Sequence, residues 1–324
     1  MKRITLLLAI VATGASAFAA VEEPVDSLFK PAKPDALMGD WQGTSGFVAQ
    51  VFPSVDGQYQ ANVFKRFDEP DAKPVVILKG GQAALNGDGW IGVIAGGHFT
   101  ASKGGEKFDL QRITRMPPTL GAPPPKGAVV LFDGLNLDAW AKKKDKEWLV
   151  EDGPAKWKLV EGGAVEVVPA TDCIITRQKF GDCKIHAEFR TLGVPSNSGI
   201  YLQTRYEVNI NETYGRLDGT PNAGFDNCTP KTAVPRIRAT RPPLEWQTFD
   251  IDFRAPQFDA NGKKTASARA TVLLNGVKIY DQQELNPPTG AAGRLGEAPT
   301  GPLMLQEHGM PVQFRNIWLV ETGS

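Results

Sequence analysis

Glu188 and Glu207 each stand two positions from an arginine, Arg190 and Arg205, inside runs where apolar and polar residues alternate. Alternation with a period of two is the pattern of a strand with one buried face, so each carboxylate shares its strand's polar face with a cation. In the first run Ile185, Ala187 and Phe189 oppose His186, Glu188 and Arg190. In the second, read as one unbroken strand, Ile200, Leu202, Thr204, Tyr206 and Val208 oppose Tyr201, Gln203, Arg205, Glu207 and Asn209. A third run sets Trp246, Thr248, Asp250 and Asp252 against Gln247, Phe249, Ile251 and Phe253, and a fourth sets Met304, Gln306 and His308 against Leu303, Leu305 and Glu307. The polar sets are rich in planar groups that stack on or fork to a sugar, with Tyr201, Trp246 and Gln306 suited to a sugar platform. Glu207, Glu188 and His308 are the catalytic candidates; Tyr201, Gln203, Arg205, Trp246, Asp250 and Gln306 are the substrate-binding ones. An imidazole exchanges protons or ligates a metal near neutrality, and His308 precedes Gly309 at the end of an expected strand. If the four strands lie in one sheet, these side chains converge in one concavity. The plainer reading makes the carboxylates surface ion pairs of small worth and His186 a satisfied strand residue.

The elements that must position these groups are β-strands. With 34 Gly, 25 Pro and 41% hydrophobic residues in 324, the chain is turn-rich with a real core and lacks helical periodicity. Lys+Arg 36 against Asp+Glu 36 gives no net charge, which argues against a nucleic-acid partner or a polybasic membrane attachment. Cys173, Cys183 and Cys228 match no zinc or redox spacing. No phosphate loop, nucleotide fingerprint or Ser-His-Asp order stands in a credible context. Residues 1–19 read as a signal peptide, with Lys2 and Arg3 before a short apolar run and small residues around Ala17 and Ala19, so a periplasmic or secreted protein without a membrane span is expected. Residues 20–37 form an extended lead-in, and residues 38–115 a small β domain with strands over Gly46–Phe52, Gln58–Phe67, Val75–Leu78, Gly89–Ile94 and Phe108–Ile113. Pro117, Pro118 and Pro123–Pro125 mark residues 116–127 as a stiff linker open to proteases, and residues 128–322 hold enough short strands for a two-sheet jelly roll.

Several segments resemble the 3-keto-disaccharide hydrolase domain family over about residues 129–320. They are Leu131-Phe132-Asp133-Gly134 through Trp140, Asn197-Ser198-Gly199-Ile200-Tyr201-Leu202-Gln203 through Val208, Glu245-Trp246-Gln247-Thr248-Phe249-Asp250-Ile251, Leu274-Asn275-Gly276-Val277, and Leu305-Gln306-Glu307-His308-Gly309 with Phe314–Trp318. The resemblance implies an all-β, concanavalin A-like jelly-roll sandwich; it does not extend to the small N-terminal β domain at residues 38–115, which rests on the strand pattern alone. It also implies cleavage of 3-keto-glycosides by removal of the C2 proton, elimination and hydration. The partner would be an oligosaccharide or glycoside; no cofactor is certain, and Arg205, Gln203 or a divalent metal ion held by the carboxylates and His308 would stabilise the oxyanion. Glu188 and Glu207 would alternatively form a two-carboxylate glycosidase. A non-catalytic carbohydrate-binding module is the reading from another class, and an envelope interaction protein built on the small domain a third.

Overall fold

The computed structural model describes residues 29–54, 57–66, 69–81, 84–217, 224–225, 235–286 and 288–323. The expected signal peptide and the segment 226–234, with Cys228, lie outside the described residues. Eight antiparallel strands, Gly39–Gln42, Val48–Pro53, Tyr59–Phe64, Val76–Gly81, Ala84–Gly87, Trp90–Ala95, His98–Lys103 and Glu106–Ile113, form a closed barrel. Closure comes from the first strand, which pairs with both the second and the last. Two-residue hairpins need positive φ at their central positions to match strand twist, and Asp88-Gly89 and Gly96-Gly97 supply it at 52°, 80°, 59° and 80°. Alternation fills the interior: Trp90 and Ile94 are buried while Ile91 and Val93 face outward. Trp41, Phe99, Phe108 and Trp90 pack edge-on or tilted inside, with neighbouring ring centroids 5.3–6.2 Å apart. The barrel strands Gly39–Gln42, Ala84–Gly87 and His98–Lys103 are additions to the expected set; each is short, and the last carries only Phe99 and Ala101 on its apolar side.

The rest of the chain is the all-β jelly-roll-like sandwich. One sheet has eight strands, with Val312–Glu321, Cys183–Thr191, Gln247–Arg254, Ala268–Leu274 and Val277–Leu285 adjacent in that order. The other has six, ordered Glu151–Pro154, Trp140–Lys143, Ile174–Thr176, Met304–Leu305, Asn197–Leu202 and Tyr206–Asn211. Ile185, Ala187, Phe189, Phe249, Ile251, Phe253 and Phe314 from the first sheet meet Ile200, Leu202, Tyr206, Val208 and Leu305 from the second in one core. Phe189 and Phe249 stack at 4.7 Å across two strands of the larger sheet.

The proline-rich segment is not the open tether expected from composition. It lies along the outward face of the eight-stranded sheet. Thr119 donates its hydroxyl to Asp250 at 2.6 Å, and the Gly121 N–H donates to Glu188 at 2.5 Å. The Ala122 carbonyl accepts from the Asn316 amide at 3.0 Å and the Trp318 indole at 3.3 Å. Gly276 lets Pro118 approach, since a Cβ there would sit 2.5 Å from the Pro118 ring. Proline lacks N–H donors, so the segment forms no ladder of its own; local turns satisfy the carbonyls of Pro117, Thr119 and Pro125, and side chains of the sheet satisfy that of Ala122. The barrel docks on the sandwich through buried Asp40, which accepts from Arg115 at 2.7 Å and from the Tyr214 hydroxyl at 2.9 Å, while Asn62 donates to the Gly215 carbonyl at 2.6 Å. Burial and the Asp40 charge push the Tyr214 hydroxyl well above the usual phenol range. Among the described residues no helix is long and apolar enough to cross a membrane.

Candidate functional site

The run from Gly199 to Ile210 is a hairpin rather than one strand. Leu202 pairs with Tyr206 across a three-residue loop, Gln203–Arg205, in which Gln203 and Thr204 take φ of 52° and 60°. The register still sets Tyr201 opposite Glu207 and Gly199 opposite Asn209, all on the outward face of the six-stranded sheet. Met304, beside Tyr201, and Gln306 extend the same face from the neighbouring segment. Tyr201 and Glu207 are 4% and 5% exposed. The Tyr201 hydroxyl donates to the Glu207 carboxylate at 2.8 Å, and the Gln306 amide donates to the Tyr201 oxygen at 3.2 Å. Glu207 lies over Gly199, where a Cβ would come within 2.6 Å of its Oε1, so the missing side chain is what makes room for the carboxylate. The buried Asn209 Oδ1 and the Gln306 Oε1 carry no hydrogen bond.

Trp148 walls this face, its ring edge-on to Tyr201 with centroids 6.3 Å apart. Two cations approach its indole: Lys143 at 5.4 Å, held by Asp172 at 3.0 Å, and the exposed Arg294 at 5.1 Å. Arg294 comes from a 3-10 helix, Gly290–Leu295, preceded by Thr289, whose hydroxyl accepts from the Glu207 N–H. Sequence reasoning missed Trp148, Lys143 and Arg294. The run Lys142–Glu147 reads as a solvated charged loop, and the tryptophan ending it was the available signal.

Other candidates stand elsewhere. Gln203 donates to the carbonyls of Phe180 and Pro299, and Arg205 donates to those of Gly296 and Gln203. Both are buried in the hairpin turn and hold backbone rather than offering donors to a ligand, because the loop removes them from the strand's alternation. His308 is exposed, two residues beyond Gln306. Glu188 and Asp250 belong to the eight-stranded sheet and face away from the core on its far side, under the proline-rich segment, and Trp246 immediately precedes the strand Gln247–Arg254 of that sheet, its ring against Arg315 and Arg190. The expected single concavity therefore does not form: facing sheets stand roughly 10 Å apart, and Glu188 and Glu207 project outward from different ones.

On that far side a β-bulge at His186/Glu188 brings both Arg315 and Asn316 onto Glu188, at 2.6 and 2.9 Å. Burial raises the carboxyl, but hydrogen bonds from His186, Asn316, the Gly121 N–H and Arg315 outweigh it and hold it down at about 2. His186 stacks on Trp318 at 4.9 Å and shares a proton with Asp250 at 2.7 Å; burial opposes its charge, yet Asp250 and Glu188 raise it above the usual imidazole range. Trp246 carries Arg315 and Arg190 on its ring, at 4.1 and 4.7 Å. These groups are saturated by each other and by the linker. Among the described residues no group of three or more His, Cys, Asp or Glu is gathered to hold a metal, and the carboxylates and His308 suggested as ligands are dispersed.

The model of the 3-keto-alpha-glucoside-1,2-lyase-like domain matches residues 127–320. A solved candidate glycosyl hydrolase from Parabacteroides distasonis ATCC 8503 is 32% identical, covering 61% of this chain and 85% of its own with a TM-score of 0.53. A second from the same organism is 21% identical, covering 61% and 95%, with a TM-score of 0.43. No curated protein matches. The sandwich so matched carries the Tyr201–Glu207 face, and the chain belongs to the 3-keto-alpha-glucoside-1,2-lyase-like domain family of carbohydrate-active, glycosyl hydrolase and lyase-type proteins.

Proposed function

We propose that the protein is an exported enzyme that cleaves 3-keto-glycosides on the Tyr201–Glu207 face of the six-stranded sheet. The observation that carries this reading is the Glu207 carboxylate, seated over Gly199 and fixed by the Tyr201 hydroxyl at 2.8 Å, beside an aromatic wall that carries cations. A carbonyl at C3 acidifies the C2–H bond. Glu207 takes that proton, the electron pair forms the enolate, and the enolate expels the C1 oxygen to leave a C1=C2 bond, to which water then adds. Positive charge at Lys143 and Arg294 favours the negative charge that develops. Export is the reading of residues 1–19, and no step is routed through a metal.

The test is incubation of the purified mature protein with 3-keto-disaccharides and the parent disaccharides, with product analysis. Cleavage confined to the keto compounds is expected, and Glu207→Gln should lower turnover about 10²–10⁴-fold, the usual contribution of a positioned base. Binding without turnover would make the protein a carbohydrate-binding module instead, and unmodified rates in Glu207→Gln would remove that residue from the chemistry.

A further inference from the structure

Around the Trp148 wall the acidic side chains already have their cations. In the run that ends at Trp148, Lys142 pairs with Asp152 at 2.6 Å, Lys143 with Asp172 at 3.0 Å and Lys144 with Glu147 at 2.6 Å. Lys143 also donates to the carbonyls of Lys144 and Asp145. Glu297, two residues past the 3-10 helix Gly290–Leu295, binds the Tyr206 hydroxyl and Lys264. Arg294 is different: it is exposed, its guanidinium lies over the Trp148 ring at 5.1 Å, and it has neither an ion pair nor a hydrogen bond among the described residues. A guanidinium resting on an indole keeps its N–H fork open, and that fork fits the paired oxygens of an anionic group. The position of Arg294 is also fixed to the base. The Thr289 hydroxyl accepts the Glu207 N–H at 2.9 Å, the Thr289 N–H donates to the Arg205 carbonyl at 2.8 Å, and buried Ala292 donates to the Thr289 carbonyl at 2.8 Å, so the helix carrying Arg294 is tied to the strand carrying Glu207.

We propose that Arg294 binds an anionic oxygen group, a uronate carboxylate or a sulfate ester, on the sugar that leaves, so that the substrates are acidic 3-keto-glycosides. The inference rests on the reading above for the place of the reacting ring. That ring presents its C2 to Glu207 and lies against Tyr201; Trp148 stands edge-on to Tyr201, and Arg294 lies beyond, over the indole, where its fork meets the attached sugar. Lys143 is buried and bound to Asp172, which leaves the open fork to Arg294. An acidic sugar gains a charge-assisted bond there. A neutral sugar offers hydroxyls that merely replace the water around an exposed guanidinium, with little net gain.

The test uses the full mature chain and three 3-keto-disaccharides that share a 3-ketoglucosyl residue and carry glucose, glucuronate or glucose 6-sulfate as the leaving sugar. At least one acidic compound should exceed the neutral one in kcat/KM by about 10–10²-fold, the range of a hydrogen bond to a charged group, and the advantage should shrink as sodium chloride is added. Which acidic compound gains identifies the anion. In Arg294→Gln the ratio of acidic to neutral kcat/KM should fall to unity, whatever happens to the neutral rate itself, while Arg294→Lys, which keeps the charge without the fork, should retain part of it. Thermal midpoints check that both variants fold. Titration calorimetry with the unoxidised disaccharides reads the same preference without turnover. No preference for an acidic sugar in either measurement, or one that survives Arg294→Gln unchanged, overturns the proposal. If none of the keto compounds turns over, yet an acidic disaccharide binds more tightly and loses that advantage in Arg294→Gln, the lyase reading fails and the acidic-sugar site stands.

Discussion

Replacing Glu188 by Gln tests whether the far-side network stabilises the fold rather than serving chemistry. Its carboxyl is completely buried and held at about 2, against 4.5 for the free group. A folded value below the unfolded one means that the ionised form stabilises the native state, that this stability is fully present above about 4.5, and that it drains away as the pH falls toward 2. At about 1.4 kcal/mol per unit, the shift corresponds to about 3 kcal/mol at pH 7 and, by the same linkage, about 1.4 kcal/mol at pH 3. Urea unfolding of the two proteins at both pH values measures the difference directly. Glu188→Gln should cost about 3 kcal/mol at pH 7 and roughly half of that at pH 3, with turnover of 3-keto-glycosides unchanged at temperatures where it stays folded. A gap that stays constant between the two pH values, or one under about 0.5 kcal/mol, as for an exposed pair, would refute the reasoning. Loss of activity without loss of stability would return Glu188 to the catalytic candidates.

Gly199→Ala sets a methyl 2.6 Å from the Glu207 carboxylate; it should cost about 1–3 kcal/mol by overpacking and lower turnover on the order of 10²-fold by misplacing the base, measured by thermal melts and steady-state rates. Asp40→Ala leaves Arg115 and the Tyr214 hydroxyl without their shared acceptor at the barrel–sandwich contact. A loss of about 1–3 kcal/mol is expected, and differential scanning calorimetry should resolve separate barrel and sandwich transitions where the unsubstituted protein shows one.

The all-β class and the facing of Tyr201 and Glu207 were legible because each depends on local chemistry: alternation of period two, and Gly or Asp at hairpin turns. Tyr201 and Glu207 fall on one face whether the chain runs straight or turns back, since a three-residue loop keeps odd positions opposite odd ones. That same loop took Gln203 and Arg205 out of the polar face, and the sequence carries no marker for it, because both positive-φ positions, Gln203 and Thr204, are non-glycine. Which sheet each strand joins was beyond reach. Alternation assigns a residue to one side of its own strand but says nothing about which strand becomes its neighbour. Pairing of Cys183–Thr191 with Gln247–Arg254 put Glu188 with Asp250, while pairing of Met304–Leu305 with Asn197–Leu202 put Gln306 with Tyr201. The amino-acid sequence by itself determined strand faces and the glycine that admits the Glu207 carboxylate. Only the tertiary structure decided that the polar faces are two, one covered by the proline-rich segment and one walled by Trp148, because long-range pairing is settled by burial of the whole core rather than by any run of residues.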